Sequence, residues 1–291
     1  MTSTEPPFRS VAIVGLGLIG GSIALAMRER WPESRLFGVD ADAVLAHALG
    51  AGAIERGFPN IRSLPESSLI VLAAPVRQNI ELLRELADGV GGLVQRNAVV
   101  TDVGGTKRDI VSAARTFAAN RAFVGGHPLG GGERGGFAFA RPDLFAGRPW
   151  IFTPETTTAS EVVDRLSRFV SGLGARPTIL PAEEHDRLMA FLSHLPQLAA
   201  SALMEIVGSA ARGDGLRLAG RGLVDTTRLA SSPPDVWRDI CLTNADAIGE
   251  ALDCLIQRLQ QLRGDLRSGD ALETVFAEAA RWRAELMKDN H

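Results

Sequence analysis

The chain has 291 residues, which is enough for one large domain or two ordinary domains with a proper core. A net charge of −3 and the lack of a basic block in the sequence argue against a nucleic-acid partner. The N-terminus is typical of neither a signal peptide nor an anchor, and no uninterrupted apolar run reaches the ~18 residues of a membrane span. Cys241 and Cys254 have no metal-ligand spacing. We therefore expect a soluble, cytoplasmic protein with free thiols and no membrane partner.

The first predicted strand ends in a glycine-rich turn. Residues 11–14 read Val-Ala-Ile-Val, which is typical of a buried parallel strand, and Gly15, Gly17 and Gly20 follow at G-x-G-x-x-G spacing. In this pattern the first glycine permits a tight turn, the second lets a pyrophosphate approach bare backbone, and the third lets the helix pack on the strand. The pyrophosphate would lie at the positive end of a helix beginning near Leu18.

A carboxylate follows the second predicted strand. Asp40 lies twenty residues after Gly20, where it can accept hydrogen bonds from an adenosine ribose and would repel a 2′-phosphate. No arginine occurs in residues 41–43, so the pattern favours NAD over NADP. The predicted cofactor-binding residues are Gly15, Gly17, Leu18, Ile19, Gly20, Asp40, Ala74, Pro75, Asp102 and Gly104.

Strand-like runs alternate with helical stretches through the first 180 residues. Glycine or proline follows most of these runs, as expected where strands end at a ligand-binding edge. The alternation predicts an α/β fold with a Rossmann-type, doubly wound parallel sheet. The predicted strands are 11–14, 35–39, 69–74, 98–101, 122–125, 150–153 and 177–180.

The pattern becomes helical after Pro181. A helix is predicted from 183 to about 208, with a kink near Leu192 because Pro196 has no N–H for the Leu192 carbonyl. Two further helices are predicted, over 236–262 and 270–287.

The predicted helices carry more apolar residues than a single three-helix layer would bury, so we expect part of this region to pack against a second copy. The predicted domains are an NAD-binding domain, 1–181, and an all-α domain for substrate binding and dimerisation, 182–291.

Two segments at the expected cofactor edge carry groups that can do chemistry. The segment 102–107, Asp-Val-Gly-Gly-Thr-Lys, follows a strand and offers the Thr106 hydroxyl and the Lys107 cation; a tight turn capped by Asp102 is the alternative interpretation. His127 ends the next strand in glycine-rich backbone, where an imidazole suits proton transfer near neutral pH.

Two further segments lie in the helical region. His194 and Gln197 fall one turn apart on a shared helix face, and Arg228, before a proline-rich loop, could clamp a carboxylate. Spacing alone favours a surface position for this arginine. The sequence contains no H-x-x-x-H or cysteine–histidine cluster, so we predict no metal. The remaining histidines are predicted surface residues: His47, His185 and His291.

Five segments, in order, resemble the prephenate/arogenate dehydrogenase family of tyrosine biosynthesis. The resemblance implies NAD-dependent oxidative decarboxylation of a cyclohexadienyl acid, either prephenate to 4-hydroxyphenylpyruvate or arogenate to tyrosine. It also implies a homodimer joined through the C-terminal helices. The segments are GLGLIGGS (15–22), DVGGTK (102–107), GGHPLGG (125–131), EHDRLMAFLSHLP (184–196) and DTTRLASSPPDVWRDICLTN (225–244).

The resemblance assigns roles to individual residues. His127 matches the histidine that takes the proton of the ring hydroxyl as hydride leaves the same carbon, and Arg228 matches the arginine that holds a substrate carboxylate. Glu133 and Trp237 match residues that line that site. The predicted catalytic residues are His127 and Thr106, and the predicted substrate-binding residues are Arg228, Glu133, Gln197, His194 and Trp237.

Three positions depart from the family pattern. Gly105 replaces a serine whose hydroxyl supports the catalytic histidine, a role that Thr106 could take over. Gln197 replaces a histidine, and Gly132 replaces a threonine found in many relatives. A neutral amide at 197 could suit arogenate or an amino-substituted analogue such as 4-amino-4-deoxyprephenate.

Two other classes of protein stay open from the sequence. One is a β-hydroxyacid dehydrogenase or imine reductase with the same two-domain plan, although these usually use a helix-borne lysine and Lys107 is predicted to lie in a loop. The other is a non-catalytic relative that binds NAD as a structural or sensing ligand.

Overall fold

The computed structural model describes residues 5–87, 98–117, 122–132 and 134–288. The chain divides into two compact units, Met1–Ala245 and Asp246–His291. The first unit contains the sheet and every described helix except the last two, Ala245–Asp265 and Asp270–Lys288. These two helices, with the residues that join them, make up the described part of the second unit, apart from Ala245. The domain boundary expected between residues 181 and 182 stays a prediction.

Eight strands form one sheet in the first unit. They are β1 (Ser10–Val14), β2 (Arg35–Val39), β3 (Arg56–Phe58), β4 (Leu69–Leu72), β5 (Val99–Asp102), β6 (Ala122–Pro128), β7 (Pro149–Thr153) and β8 (Arg176–Ile179). Their order across the sheet is β3-β2-β1-β4-β5-β6-β7-β8. The predicted fold class, a doubly wound and mostly parallel sheet followed by a helical region, is confirmed.

The sheet differs from the prediction in two features. β3 was missed because it has three residues, of which one is charged and one is Gly57, so it shows no periodicity. β7 pairs antiparallel with β6, whereas the other neighbours are parallel. A parallel neighbour needs a long crossover, usually a helix. Among the described residues between β6 and β7 the only helical segment is the short turn Phe137–Phe139, so β7 runs back beside β6.

Alternate residues of each central strand enter apolar clusters on opposite faces of the sheet. In β1, Val11 and Ile13 lie in one cluster, and Ala12 and Val14 lie in the other. This alternation is the period-2 geometry of a strand buried on both sides.

Helices supply the other half of each cluster. Residues of α1, α2 and α5 pack in the first cluster, and residues of α3 and α4 pack in the second. These helices are α1 (Leu18–Arg30), α2 (Asp42–Gly50), α3 (Val76–Ala87), α4 (Arg108–Phe117) and α5 (Ser160–Gly172).

The C-terminal helices are α6 (Ala182–Met189), α7 (Leu195–Leu216), α8 (Arg221–Thr226), α9 (Pro234–Thr243), α10 (Ala245–Asp265) and α11 (Asp270–Lys288). A π-helical turn, Ala190–His194, joins α6 to α7 and replaces the simple kink expected near Leu192. This wider turn ends at His194, directly before Leu195 and Pro196. The proline has no N–H to donate to a carbonyl of the preceding turn.

The helix predicted over 236–262 is wrong, because the chain breaks at Asn244 into α9 and α10. Asn244 is fully buried, and its side-chain amide donates to the Asp186 carbonyl at 2.8 Å. Its Oδ1 atom accepts a 2.8 Å bond from Arg108. These tertiary bonds outweigh the local tendency to continue a helix, since an unpaired buried amide is costly.

One stretch, Ala182–Leu216, is long and apolar enough to cross a membrane by length and composition, with a mean hydropathy of 1.2 in its most apolar window. The same stretch carries His185, Asp186 and His194 as buried side chains with polar partners inside the protein. These contacts favour packing against protein rather than lipid.

A buried ion pair joins the end of β5 to the segment that leads into α4. Lys107 Nζ lies 2.5 Å from Asp102 Oδ2, both side chains are fully buried, and Nζ also donates to the Gly126 carbonyl at 2.8 Å. The Asp102 carboxylate accepts the backbone N–H groups of Gly104 and Gly126. Burial lowers the pKa of Lys107, although the neighbouring Asp102 raises it. The pair therefore fixes the backbone directly before His127.

Lys107→Met should destabilise the fold by about 3–5 kcal/mol, because it leaves the Asp102 carboxylate buried without its cation. Urea unfolding would measure the loss. The double variant Lys107→Met/Asp102→Asn removes both charges and should recover part of the stability. Equal stability of Lys107→Met and the unsubstituted protein would contradict this account of the pair.

Candidate active site

The glycine-rich turn lies at the carboxyl end of β1. Gly15 has a φ of +94°, and a side chain there would also meet the Ala73 backbone at 2.7 Å. A Cβ at Gly20 would lie 1.9 Å from the Gly15 carbonyl oxygen, so the third glycine allows α1 to pack against the turn. A Cβ at Gly17 would meet nothing within 4 Å, which leaves this backbone open to a ligand.

Asp40 connects the end of β2 to the same turn. Its Oδ2 atom accepts the Leu16 N–H at 2.7 Å, and its Oδ1 atom accepts the Ala41 N–H, also at 2.7 Å. A cavity of about 770 Å³ opens beside it. Five of the predicted cofactor-binding residues line this cavity: Gly15, Gly17, Asp40, Ala74 and Pro75. Leu18, Ile19 and Gly20 begin α1 directly behind the turn.

The Asp102 carboxylate is bonded within the protein, and the cofactor-binding role of Asp102 and Gly104 stays a prediction. The Asp102 side chain is fully buried and is bonded to Lys107 and to the amides of Gly104 and Gly126. Gly104 is buried with it. The carboxylate therefore organises the turn at the end of β5.

His127 lies near the end of β6, at the same edge of the sheet as the glycine-rich turn, and begins a chain of buried polar groups. Its Nδ1 atom is 2.8 Å from Nε2 of His185, and Nδ1 of His185 is 2.7 Å from Oδ1 of Asp186. The prediction that His185 is a surface residue is wrong, since its side chain is fully buried. The exposed position predicted for His47 is confirmed, and His291 lies outside the described residues.

Asp186 ties this chain to the start of α4. Its carboxylate accepts the backbone N–H groups of Lys107 at 2.7 Å and Arg108 at 2.9 Å. The Arg108 side chain lies 3.4 Å from the same carboxylate and also bonds Asn244. Asn244 in turn lies 3.3 Å from Nδ1 of His194. A carboxylate at a helix N-terminus is also favoured by the helix dipole.

The pKa values in this cluster shift in directions that follow from burial and hydrogen bonding. Burial holds the pKa of His127 well below 6.5, with further lowering from nearby His185, Lys107 and His194. Burial also lowers the pKa of His185, and it lowers that of His194 to about 4. Burial alone would raise the pKa of Asp186, but hydrogen bonds from His185 and from backbone amides lower it on balance. At neutral pH the histidines are therefore uncharged and Asp186 is ionised.

Thr106 is placed differently from the expected support of His127. Its hydroxyl lies 2.7 Å from the Thr243 hydroxyl, which itself donates to the Asp239 carbonyl at 2.8 Å. Thr106 must therefore be the donor in the first bond. A Cβ at Gly105 would lie 3.9 Å from Nε2 of His127 and 3.6 Å from Ile240, so a side chain could stand there without a clash.

Gln197 bridges α7 and the short turn Arg228–Ser231. Its side-chain amide donates to the Leu229 carbonyl at 2.7 Å, and its carbonyl accepts the Ser232 hydroxyl at 3.0 Å. The Arg228 side chain is exposed at the start of the turn. Gln197 is buried, both ends of its amide are bonded within the protein, and its role in substrate binding stays a prediction.

Two other predicted substrate-binding residues, His194 and Trp237, contact each other. The rings of His194 and Trp237 meet edge to face, with centroids 6.0 Å apart. Gly132 is exposed, and Glu133 lies outside the described residues.

Sequence reasoning did not assign functions to three buried residues of the cluster: His185, Asp186 and Asn244. The first two lie inside the segment EHDRLMAFLSHLP, and Asn244 ends the segment DTTRLASSPPDVWRDICLTN. An adjacent histidine and aspartate at the start of an amphipathic helix was the available signal.

A nucleotide turn and a neutral histidine at one edge of a mostly parallel sheet define a dinucleotide-dependent dehydrogenase with a helical second domain. Residues 23–179 match the family model of the prephenate dehydrogenase nucleotide-binding domain, and residues 181–278 match that of the prephenate dehydrogenase dimerization domain. The chain belongs to the prephenate dehydrogenase family.

Individual relatives agree with this assignment. The chain is 35% identical to the prephenate dehydrogenase of Bacillus subtilis, over 92% of this chain and 72% of the relative. It is 30% identical to the cyclohexadienyl dehydrogenase of Zymomonas mobilis, over 97% and 98%. The crystal structure of A. aeolicus prephenate dehydrogenase in complex with hydroxyphenyl propionate and NAD+ is similar with a TM-score of 0.86 at 27% identity, covering 96% of this chain and 98% of that chain.

Acidification from pH 7 to pH 5 should lower the free energy of unfolding. The buried histidines have lower pKa values in the folded protein than the ~6.5 of an unfolded chain, so below that pH the unfolded state binds more protons. Their contribution is fully present above the unfolded pKa and is lost as the pH falls. Urea unfolding across this range would measure the slope. His194→Gln should flatten it, and no effect of His194→Gln would contradict the prediction.

Proposed function

We propose that the protein is an NAD-dependent dehydrogenase that oxidatively decarboxylates a cyclohexadienyl acid, either prephenate or arogenate. The observation that carries the proposal is His127, a half-buried histidine with a lowered pKa whose Nε2 atom lies next to the open position at Gly105. Because Nδ1 is engaged by His185, Nε2 is the nitrogen left for a substrate. A neutral imidazole in this position can accept a proton at physiological pH.

The described residues fit NAD. The open backbone at Gly17 and the start of α1 suit a pyrophosphate, and Asp40 keeps lone pairs for ribose hydroxyls while disfavouring a 2′-phosphate. The cavity beside Asp40 has room for the adenosine half of the cofactor. When bound, NAD supplies the hydride acceptor.

His127 would move one proton in the reaction. The O–H bond of the ring hydroxyl breaks and an N–H bond forms at Nε2, while the hydride on the same carbon would pass to NAD. The bond between the ring and its carboxylate then breaks and CO2 is released. The electron pair of that bond makes the ring aromatic and leaves a negative charge on the ring oxygen, which takes the proton back from Nε2. The protein contributes by holding the hydroxyl at Nε2 and by keeping this histidine neutral through burial.

Arg228 is proposed to hold a substrate carboxylate, and Glu133, His194 and Trp237 are proposed to contact the substrate as well. Gln197 bonds the Leu229 carbonyl, so it fixes the backbone of the turn that begins with Arg228. With a neutral amide at position 197, three substrates remain candidates: prephenate, arogenate and an amino analogue such as 4-amino-4-deoxyprephenate. A non-catalytic NAD-binding protein is the second candidate, favoured by the departures at Gly105 and Gln197.

The proposed assembly is a cytoplasmic homodimer joined through the C-terminal helices. Large apolar side chains are exposed along several of these helices, and the family match there is a dimerization domain. They include Leu203 and Ile206 on α7, Ile256 and Leu259 on α10, and Phe276 and Trp282 on α11.

His127→Asn should lower kcat with NAD by about 10²–10⁴-fold for whichever substrate is used, because it removes the proton acceptor. Absorbance of reduced nicotinamide would report turnover with prephenate, arogenate and 4-amino-4-deoxyprephenate in turn. Calorimetry should give an NAD affinity like that of the unsubstituted protein, since the cofactor turn is untouched. Lack of turnover with all three substrates, with NAD binding intact, would favour the non-catalytic candidate.

Gln197→His should change the ratio of kcat/KM values between prephenate and the two amino substrates by about tenfold, the equivalent of one hydrogen bond to a charged group. The imidazole adds a titratable donor and releases the bond to the Leu229 carbonyl. Ser201→Ala is the matched control, because Ser201 contacts the Gln197 amide without holding the Arg228 turn. An unchanged ratio would remove Gln197 as the source of substrate choice.

Phe276→Glu should shift the protein from dimer towards monomer in analytical ultracentrifugation, because it puts a charge on an exposed apolar side chain of α11. Thr274→Glu adds the same charge on this helix without removing an aromatic ring, so it should have a smaller effect. A monomeric unsubstituted protein would overturn the proposed assembly.

A further inference from the structure

We propose that His185 and Asp186 are positioning residues that hold His127 in the tautomer with its proton on Nδ1, so that Nε2 is the base. The inference rests on the proposed function of His127 and deepens it. Three buried or half-buried groups carry it: the His127 and His185 rings, 2.8 Å apart at their nitrogens, and the Asp186 carboxylate, 2.7 Å from the far nitrogen of His185.

Counting donors and acceptors along the chain assigns every proton. Asp186 is ionised and accepts the backbone N–H groups of Lys107 and Arg108, so it can only accept from His185. Nδ1 of His185 must therefore carry a proton. Since burial keeps His185 neutral, its Nε2 has no proton and accepts. Nδ1 of His127 is then the donor, and Nε2 of His127 keeps its lone pair.

The same chain stabilises the charge that forms on His127. When Nε2 takes the substrate proton, the N–H at Nδ1 becomes a stronger donor to His185, and the His185 N–H strengthens its bond to the carboxylate. In the proton transfer itself, the substrate O–H bond breaks and an N–H bond forms at Nε2. The positive charge is shared between two rings that end on a fixed negative charge.

The chain of hydrogen bonds from His127 through His185 to Asp186, called the relay below, compensates for the missing hydroxyl beside His127. Gly105 provides no side chain near Nε2, and the Thr106 hydroxyl donates to Thr243. Orientation of the ring therefore comes from the Nδ1 side. His185 sits on α6, which is anchored by the bonds from the Lys107 and Arg108 amides to Asp186, so the relay is held by backbone rather than by mobile side chains.

Several other charged or titratable groups act on this chain, and they must stay in place in any test. Lys107 precedes α4, and His194 lies in the π-helical turn; both act on His127 and lower its pKa. Lys107, Asp102 and Asp186 also act on His185. For this reason the informative substitutions are at His185 alone.

His185→Leu removes the acceptor for the Nδ1 proton, and His185→Gln keeps an acceptor but loses the link to Asp186. His185→Leu should lower kcat by about 10²–10³-fold with KM changed less than about threefold, because the base is misoriented while the substrate contacts remain. The acidic limb of the kcat/KM profile should shift, because His185 contacts Nδ1 of His127 and is one of the groups that act on its pKa. His185→Gln should recover part of kcat.

Nitrogen-15 NMR of histidine-labelled protein tests the tautomer without any turnover. The unsubstituted protein at pH 7.5 should show His127 as a neutral ring with its proton on Nδ1, and His185→Leu should lose this preference. A proton on Nε2 of His127, or a His185→Leu variant with unchanged kcat and pH profile, would overturn the relay. If His185→Leu fails to fold, the tautomer in the unsubstituted protein and the kinetics of His185→Gln still decide. Lack of turnover with any of the three substrates would count against the proposed function, while the NMR result would stand separately for the relay.

Discussion

The carboxylate of Asp186 is the contact on which the rest of the site depends. It is fully buried, and it accepts the first two amides of the α4 region together with the His185 ring. A buried negative charge is stable only with such donors around it, and the N-terminus of a helix supplies them at low cost. Through this one group α6 is held at the start of α4, and His185 is held beside His127.

A second buried ion pair lies at the same edge of the sheet. Asp102 and Lys107 bind the backbone of Gly126, the residue before His127, while His185 contacts the His127 ring. The imidazole is thus constrained by both its backbone and its Nδ1 atom. Such double support restricts the movement of the ring, which the proposed proton transfer requires.

Features with a local signature could be predicted from the sequence. The strands β1, β2 and β4 follow from apolar runs, and the cofactor turn follows from the spacing of Gly15, Gly17 and Gly20. The direction of β7, the break at Asn244 and the burial of His185 could not be predicted, because each is set by partners far along the chain. Asn244 lies in a sequence of helical character, and only its bonds to Arg108 and Asp186 reveal why the helix stops there. The sequence showed which residue types the site contains, whereas the hydrogen bonds between them could be read only from the structure.

The wide separation of these partners along the chain has a consequence for synthesis. Arg108 bonds Asn244, which is 136 residues later in the sequence, and Thr106 bonds Thr243, which is 137 residues later. During translation the strands of the sheet are therefore made before Thr243 and Asn244 are available as partners. A nascent chain that ends before α6 already carries the turn after β1, but it has no Asp186 to accept the first amides of the α4 region and no His185 to contact His127. The turn after β1 is therefore synthesised well before the residues that surround His127.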